Sequence, residues 1–126
     1  MGPLQIHIQR LLGREPGAEV HEVGGSGTMV SLPTLALPAG WSKPNTAIYF
    51  LAPQGYPFAK PDCFWADDDL RLANGAMPQN AQSNNPMPGL GRSGLWFSWH
   101  TDHWNANRDD LLTWIASIKD RLSRLV

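Results

Sequence analysis

The chain has 126 residues, with ten basic against eleven acidic side chains and a net charge of −1. At about 150 residues per domain this is one domain with one modest core, and its near-neutrality argues against an electrostatic grip on nucleic acid or an anionic membrane. Twelve Gly and eleven Pro weigh against an all-helical bundle, and a single Cys excludes an internal disulfide framework and any multi-cysteine zinc site.

In chain order, residues 4–12 carry Leu4, Ile6, Ile8, Leu11 and Leu12, a mixed pattern read as a short helix stopping at Gly13. Residues 18–23 read as a strand, broken by Gly24-Gly25-Ser26-Gly27. That glycine run lacks the lysine and spacing of a phosphate-binding loop. Residues 28–37 form a second strand, with Pro33 marking an edge or a bulge. Residues 46–51 are the strongest strand, β-branched and aromatic between turn formers. The longest apolar run, residues 47–52, is far short of the roughly 20 residues of a membrane span, so a soluble cytoplasmic protein is expected. Residues 62–66 read as a short aromatic strand.

Residues 67–94 are rich in Asn, Gly, Pro, Met and Ser and read as one long irregular segment, a length usually tied to function or disorder. Residues 95–100 resume an aromatic strand. Asn107 is expected to cap a final helix, with Asp109 and Asp110 in its first turn. Leu111, Ile115, Ile118, Leu122 and Leu125 line one face of that helix at three- and four-residue steps. The order implies an α+β domain over residues 1–126, with helices packed on an antiparallel sheet.

The densest chemistry lies in Trp96-Phe97-Ser98-Trp99-His100-Thr101-Asp102-His103-Trp104. If the run is extended, Trp96, Ser98 and His100 share one face, with Phe97 and Trp99 on the other. A serine hydroxyl needs a base to take its proton, and a neighbouring imidazole can do so. Asp102 or Asp62 could orient that imidazole. The plainer reading makes Ser98 a strand-edge hydroxyl and His100 a structural histidine, and the pair alone favours it. A metal site from His100, Asp102 and His103 lacks any strong zinc spacing. Cys63, between Asp62 and Phe64, reads as a small buried hydrophobe rather than a nucleophile. Six Trp could stack single-stranded nucleic acid, but no basic excess supports it.

Tyr56-Pro57-Phe58-Ala59-Lys60-Pro61 resembles the segment leaving the third strand of ubiquitin-conjugating enzymes. Trp104-Asn105-Ala106-Asn107 is similar to the Trp-led turn before a later helix in that fold. Leu37-Pro38-Ala39-Gly40-Trp41, Pro61-Asp62, Gly75-Ala76-Met77-Pro78 and the Ser98-x-His100 pair ahead of Trp104 resemble a bacterial branch, the prokaryotic conjugating-enzyme family E. The resemblance spans about residues 15–125. It implies a UBC-like fold: a four-stranded antiparallel meander with an N-terminal and a C-terminal helix packed on the sheet. Two departures stand out. There is no His-Pro-Asn tripeptide and no cysteine in the stretch before Trp104, and Cys63 falls a strand too early.

The resemblance therefore implies that a hydroxyl replaces the usual thiol. Ser98 would accept a ubiquitin-like protein from an activating enzyme as an oxyester and pass it to a target protein, with His100 as base and Asp102 in support. Asn74, or backbone amides of residues 84–95, would stabilise the oxyanion. No cofactor, metal, nucleic acid or membrane enters this scheme, which the family's gene neighbourhoods place in phage defence. The alternatives are an inactive member that binds a ubiquitin-like protein or the activating enzyme non-covalently, and an unrelated small hydrolase or binding protein.

Overall fold

A computed structural model describes residues 2–126. Helix α1 (Pro3–Arg14) begins with Pro at its first turn, where the missing N–H costs nothing. It runs one residue past Gly13. Strands β1 (Glu19–Glu22), β2 (Gly27–Ala36), β3 (Asn45–Pro53) and β4 (Phe64–Ala66) follow as consecutive antiparallel neighbours. The register of β2 against β3 slips between Leu32 and Leu35, a bulge centred on Pro33, which has no N–H for the ladder.

The sheet has six strands rather than four, in the order β1-β2-β3-β4-β6-β5. The extra hairpin is β5 (Ala81–Pro86) and β6 (Ser93–Phe97). So residues 67–94 are not one irregular segment. β5 is a polar edge strand, Ala-Gln-Ser-Asn-Asn-Pro, low in strand propensity and without an apolar face to announce it. It is held from outside the ladder: Asn84 N–H donates to Asp68 (2.7 Å), and Trp65 Nε1 donates to Asn85 Oδ1 (2.9 Å). Gly94 allows the close approach of three strands, because a Cβ there would lie 2.6 Å from Met87 Cε and 2.7 Å from the Ala66 carbonyl.

Helix α2 (Leu111–Leu122) is capped three residues later than expected, at Asp110 rather than Asn107. Asn105 and Asp109 instead close a tight turn on each other: Asp109 N–H donates to Asn105 O, and Asn105 N–H to the Asp109 carboxylate, both at 2.7 Å. Asp110 is the true cap, in a reciprocal box with Thr113, a motif worth about 1 kcal/mol. Both helices lie against one sheet face, where Ile8, Leu11, Phe50, Phe64, Leu95, Phe97, Trp114 and Ile118 form the main core. Met29, Trp65 and Met87 make a smaller cluster.

Candidate active site

The site lies where β4 begins and β6 ends. Phe64 pairs with Phe97 across the two strands, and their rings stack with centroids 4.7 Å apart, worth about 1 kcal/mol beyond burial. The next position outward on each strand is Cys63 and Ser98. Thirty-five residues apart in sequence, they leave the sheet side by side. The Cys63 N–H donates to the Trp99 carbonyl (2.8 Å) and the Ser98 N–H to the Asn80 carbonyl (2.8 Å), which fixes both backbones.

Trp99 sets the direction of its neighbours. Its indole N–H donates to the Ser117 carbonyl (3.0 Å) and hydroxyl (3.2 Å) on α2, and the Arg124 guanidinium lies 5.2 Å from its ring centroid. Phe97 and Trp99 thus belong to the helix-side core. The sequence pattern placed Ser98 and His100 on the other face, and there they meet: Ser98 Oγ lies 3.3 Å from His100 Nε2. Ser98 is half-buried and His100 exposed.

The other ring nitrogen, Nδ1, contacts the Asp62 carboxylate. An Nδ1–H donated to Asp62 leaves the Nε2 lone pair facing Ser98. Asp102, the nearer carboxylate in sequence, lines the same hollow but is not the partner of His100. Antiparallel pairing of β4 and β6 brings Asp62 across instead. His103 does not join a metal-ligating group with His100. Among the described residues, the group with suitable spacing is Asp62, Cys63 and His100.

An open hollow of about 640 Å³ surrounds these residues, lined by Lys60, Asp62, Asn80, Ser98, Trp99, His100 and Asp102. Asn80 was not foreseen. It sits at the start of β5 in a left-handed conformation, φ 57°, and neighbours Ser98 through the backbone bond. Asn74 is elsewhere, its side chain accepting the Ala76 N–H at 2.9 Å. Lys60 holds the rim by donating to the Thr101 carbonyl at 2.5 Å.

Cys63 is half-buried, with φ 62°. Burial pushes its thiol pKa up and the Asp62 charge adds to this, with only the Trp99 backbone contact opposing. That environment disfavours thiolate.

The two segments with conjugating-enzyme character touch each other. Trp104 Nε1 donates to the Pro57 carbonyl at 2.7 Å, and the Trp104 and Tyr56 rings are 5.9 Å apart. Tyr56 also bonds His7 of α1 at 2.7 Å. Trp41, from the Leu37–Trp41 stretch, donates to the Leu122 carbonyl at 2.8 Å and packs edge-on to Phe97. The motifs thus brace both ends of the Ser98 segment.

Compared with protein-family models, residues 10–125 match prokaryotic E2 family E. The chain belongs to that family. Family E membership makes it a prokaryotic E2-like protein, and at a coarse level its partners are a ubiquitin-like protein and an activating enzyme. No curated protein and no solved structure matches it. Among the described residues, no helix is long and apolar enough to cross a membrane.

Proposed function

We propose that this family E protein accepts a ubiquitin-like protein from its activating enzyme as an oxyester on Ser98, and then passes it to an amine of a target. The contact of Ser98 Oγ with His100 Nε2 at 3.3 Å, on an open hollow, carries this reading. Such contacts are often long before a substrate arrives.

In the charging step, Ser98 Oγ attacks the activated C-terminal carbonyl carbon of the ubiquitin-like protein. His100 Nε2 takes the hydroxyl proton. The bond to the activating enzyme breaks, and the imidazolium returns the proton to that leaving group. An ester to Ser98 remains. Asp62 keeps Nδ1 protonated and steadies the transient imidazolium. Asn80, whose side chain carries an amide donor, is the candidate to meet the oxyanion. In the second step a target amine attacks the ester carbonyl, His100 Nε2 takes the proton that the nitrogen loses and passes it to Ser98 Oγ as the ester C–O bond breaks, and an amide remains. Asp102, on the rim, contributes negative charge toward the incoming ammonium. Ester carbonyls are less reactive than thioesters, so this scheme depends on positioning by the hollow.

A second reading is a module that binds its partners without charging, favoured by the absence of a thiol at the end of β6. Incubation with the cognate activating enzyme, the ubiquitin-like protein and ATP separates the two. A covalent adduct lost in Ser98→Ala supports charging. Tight association with no adduct supports the binding module.

A further inference from the structure

The contact between β4 and β6 creates a second constellation that acyl transfer does not use. One ligating atom from each of Asp62, Cys63 and His100 lies within 4.8 Å of the other two. The sequence offered His100, Asp102 and His103 for a metal, without any strong zinc spacing among them. We infer that Asp62, Cys63 and His100 form a binding site for a borderline-soft divalent cation of the zinc type, and that occupancy switches off the Ser98–His100 pair.

The donor set fits such an ion. Zinc binds thiolate, imidazole and carboxylate in tetrahedral sites, with three protein ligands and one open position a common arrangement. Bonds of about 2.0–2.3 Å place tetrahedral ligand atoms about 3.3–3.8 Å apart. To admit the ion the Asp62–Nδ1 contact must open while no ligand pair has to draw in from beyond 4.8 Å, a modest adjustment because Asp62 and His100 are each about half exposed. A carboxylate and a thiolate together balance the ion's charge. Binding moves the thiol proton to solvent, as metal binding to cysteine requires. Magnesium and calcium are poor candidates, because they take oxygen ligands. The open hollow beside the cluster gives the ion a route in and room for a water as fourth ligand.

Inhibition follows from the imidazole's two nitrogens. Asp62 meets Nδ1, and Ser98 faces Nε2. A cation between Asp62 and Cys63 takes the Nδ1 position. A neutral imidazole bound through Nδ1 carries its hydrogen on Nε2, so the lone pair facing Ser98 is lost. The Ser98 proton then has no acceptor. Binding stands independently of the transfer reading; the inhibition rests on it.

The test is titration of the purified chain with cobalt(II), followed by zinc competition. A thiolate-to-cobalt charge-transfer band, with tetrahedral d–d absorption, is expected and should be displaced by zinc. In Cys63→Ala the charge-transfer band should vanish and zinc affinity fall at least about tenfold, since even loss of an outer-shell partner costs 10–100-fold. His100→Gln should weaken zinc similarly. Near-ultraviolet circular dichroism of the tryptophans verifies that each variant is folded; Asp62→Asn replaces any that is not. No charge-transfer band in the parent chain, or zinc affinity unaltered in folded Cys63→Ala and His100→Gln, overturns the site. If zinc binds as expected but adduct formation is unaffected at saturating zinc, the site stands and the Nδ1 switch is overturned. A protein that binds zinc and forms no adduct at all refutes the transfer reading and leaves the site intact.

Discussion

The start of β4 and the end of β6 make an instructive pair. Cys63 and Ser98 occupy facing positions beyond a stacked Phe64–Phe97 pair, and both border the same imidazole. By intrinsic chemistry the thiol is the better nucleophile. Their surroundings differ: burial and the Asp62 charge push the Cys63 thiol pKa up, while Ser98 Oγ faces an imidazole nitrogen. The same carboxylate thus serves the two sides differently, discouraging a negative charge on Cys63 and accepting the Nδ1 contact of His100. In the proposed reaction the nucleophile is chosen by environment more than by residue type.

Substitutions that unbalance this pair test it, and the largest effect belongs to the hydroxyl. Ser98→Ala should abolish the adduct in a gel-shift charging assay, while Cys63→Ala retains it. Next, His100→Gln should slow single-turnover charging by about 10²–10⁴-fold, the usual contribution of a positioned base. Asp62→Asn should slow charging by about tenfold, far less than the roughly 10⁴-fold for a buried triad aspartate, because water can share the orienting role at an exposed site. The same variant removes the nearby negative charge from Cys63, so its thiol should be alkylated faster by iodoacetamide at a fixed pH. In the parent chain that rate, followed by mass spectrometry, should rise with pH through a midpoint above the ordinary cysteine value, because the thiol must lose its proton to react. A midpoint below that value would place the activated nucleophile on the β4 side. The smallest effect is expected for Asp102→Asn: charging unchanged, with a modest loss only in transfer to a lysine substrate.

Much of this geometry was legible in the chain. Alternation along residues 96–100 separated Ser98 and His100 from Phe97 and Trp99, because strand side chains alternate and Phe97 and Trp99 face the helix side. Residues 46–51 announced β3 by composition. What stayed hidden depended on pairing. Asp102 is two residues from His100, whereas Asp62 reaches it only because β4 lies beside β6; local spacing cannot reveal which strands will be neighbours. The aromatic runs at residues 64–65 and 96–97 were the available signal that these two strands meet. Strand β5 was hidden for a different reason. Its side chains are polar and its place at the edge is secured by Asp68 and Trp65, so Asn80 could not be placed in the hollow. The Asn105–Asp109 turn imitated a helix start, with cap-forming residues used on one another.

In the proposed reaction the acyl group rides on oxygen. This is tested most directly by trapping the charged protein after brief incubation with activating enzyme, ubiquitin-like protein and ATP, digesting it, and locating the modified residue by tandem mass spectrometry. The C-terminal remnant of the ubiquitin-like protein is expected on Ser98, in an adduct that survives thiol reductant. A remnant on Cys63, cleaved by reductant, would contradict it.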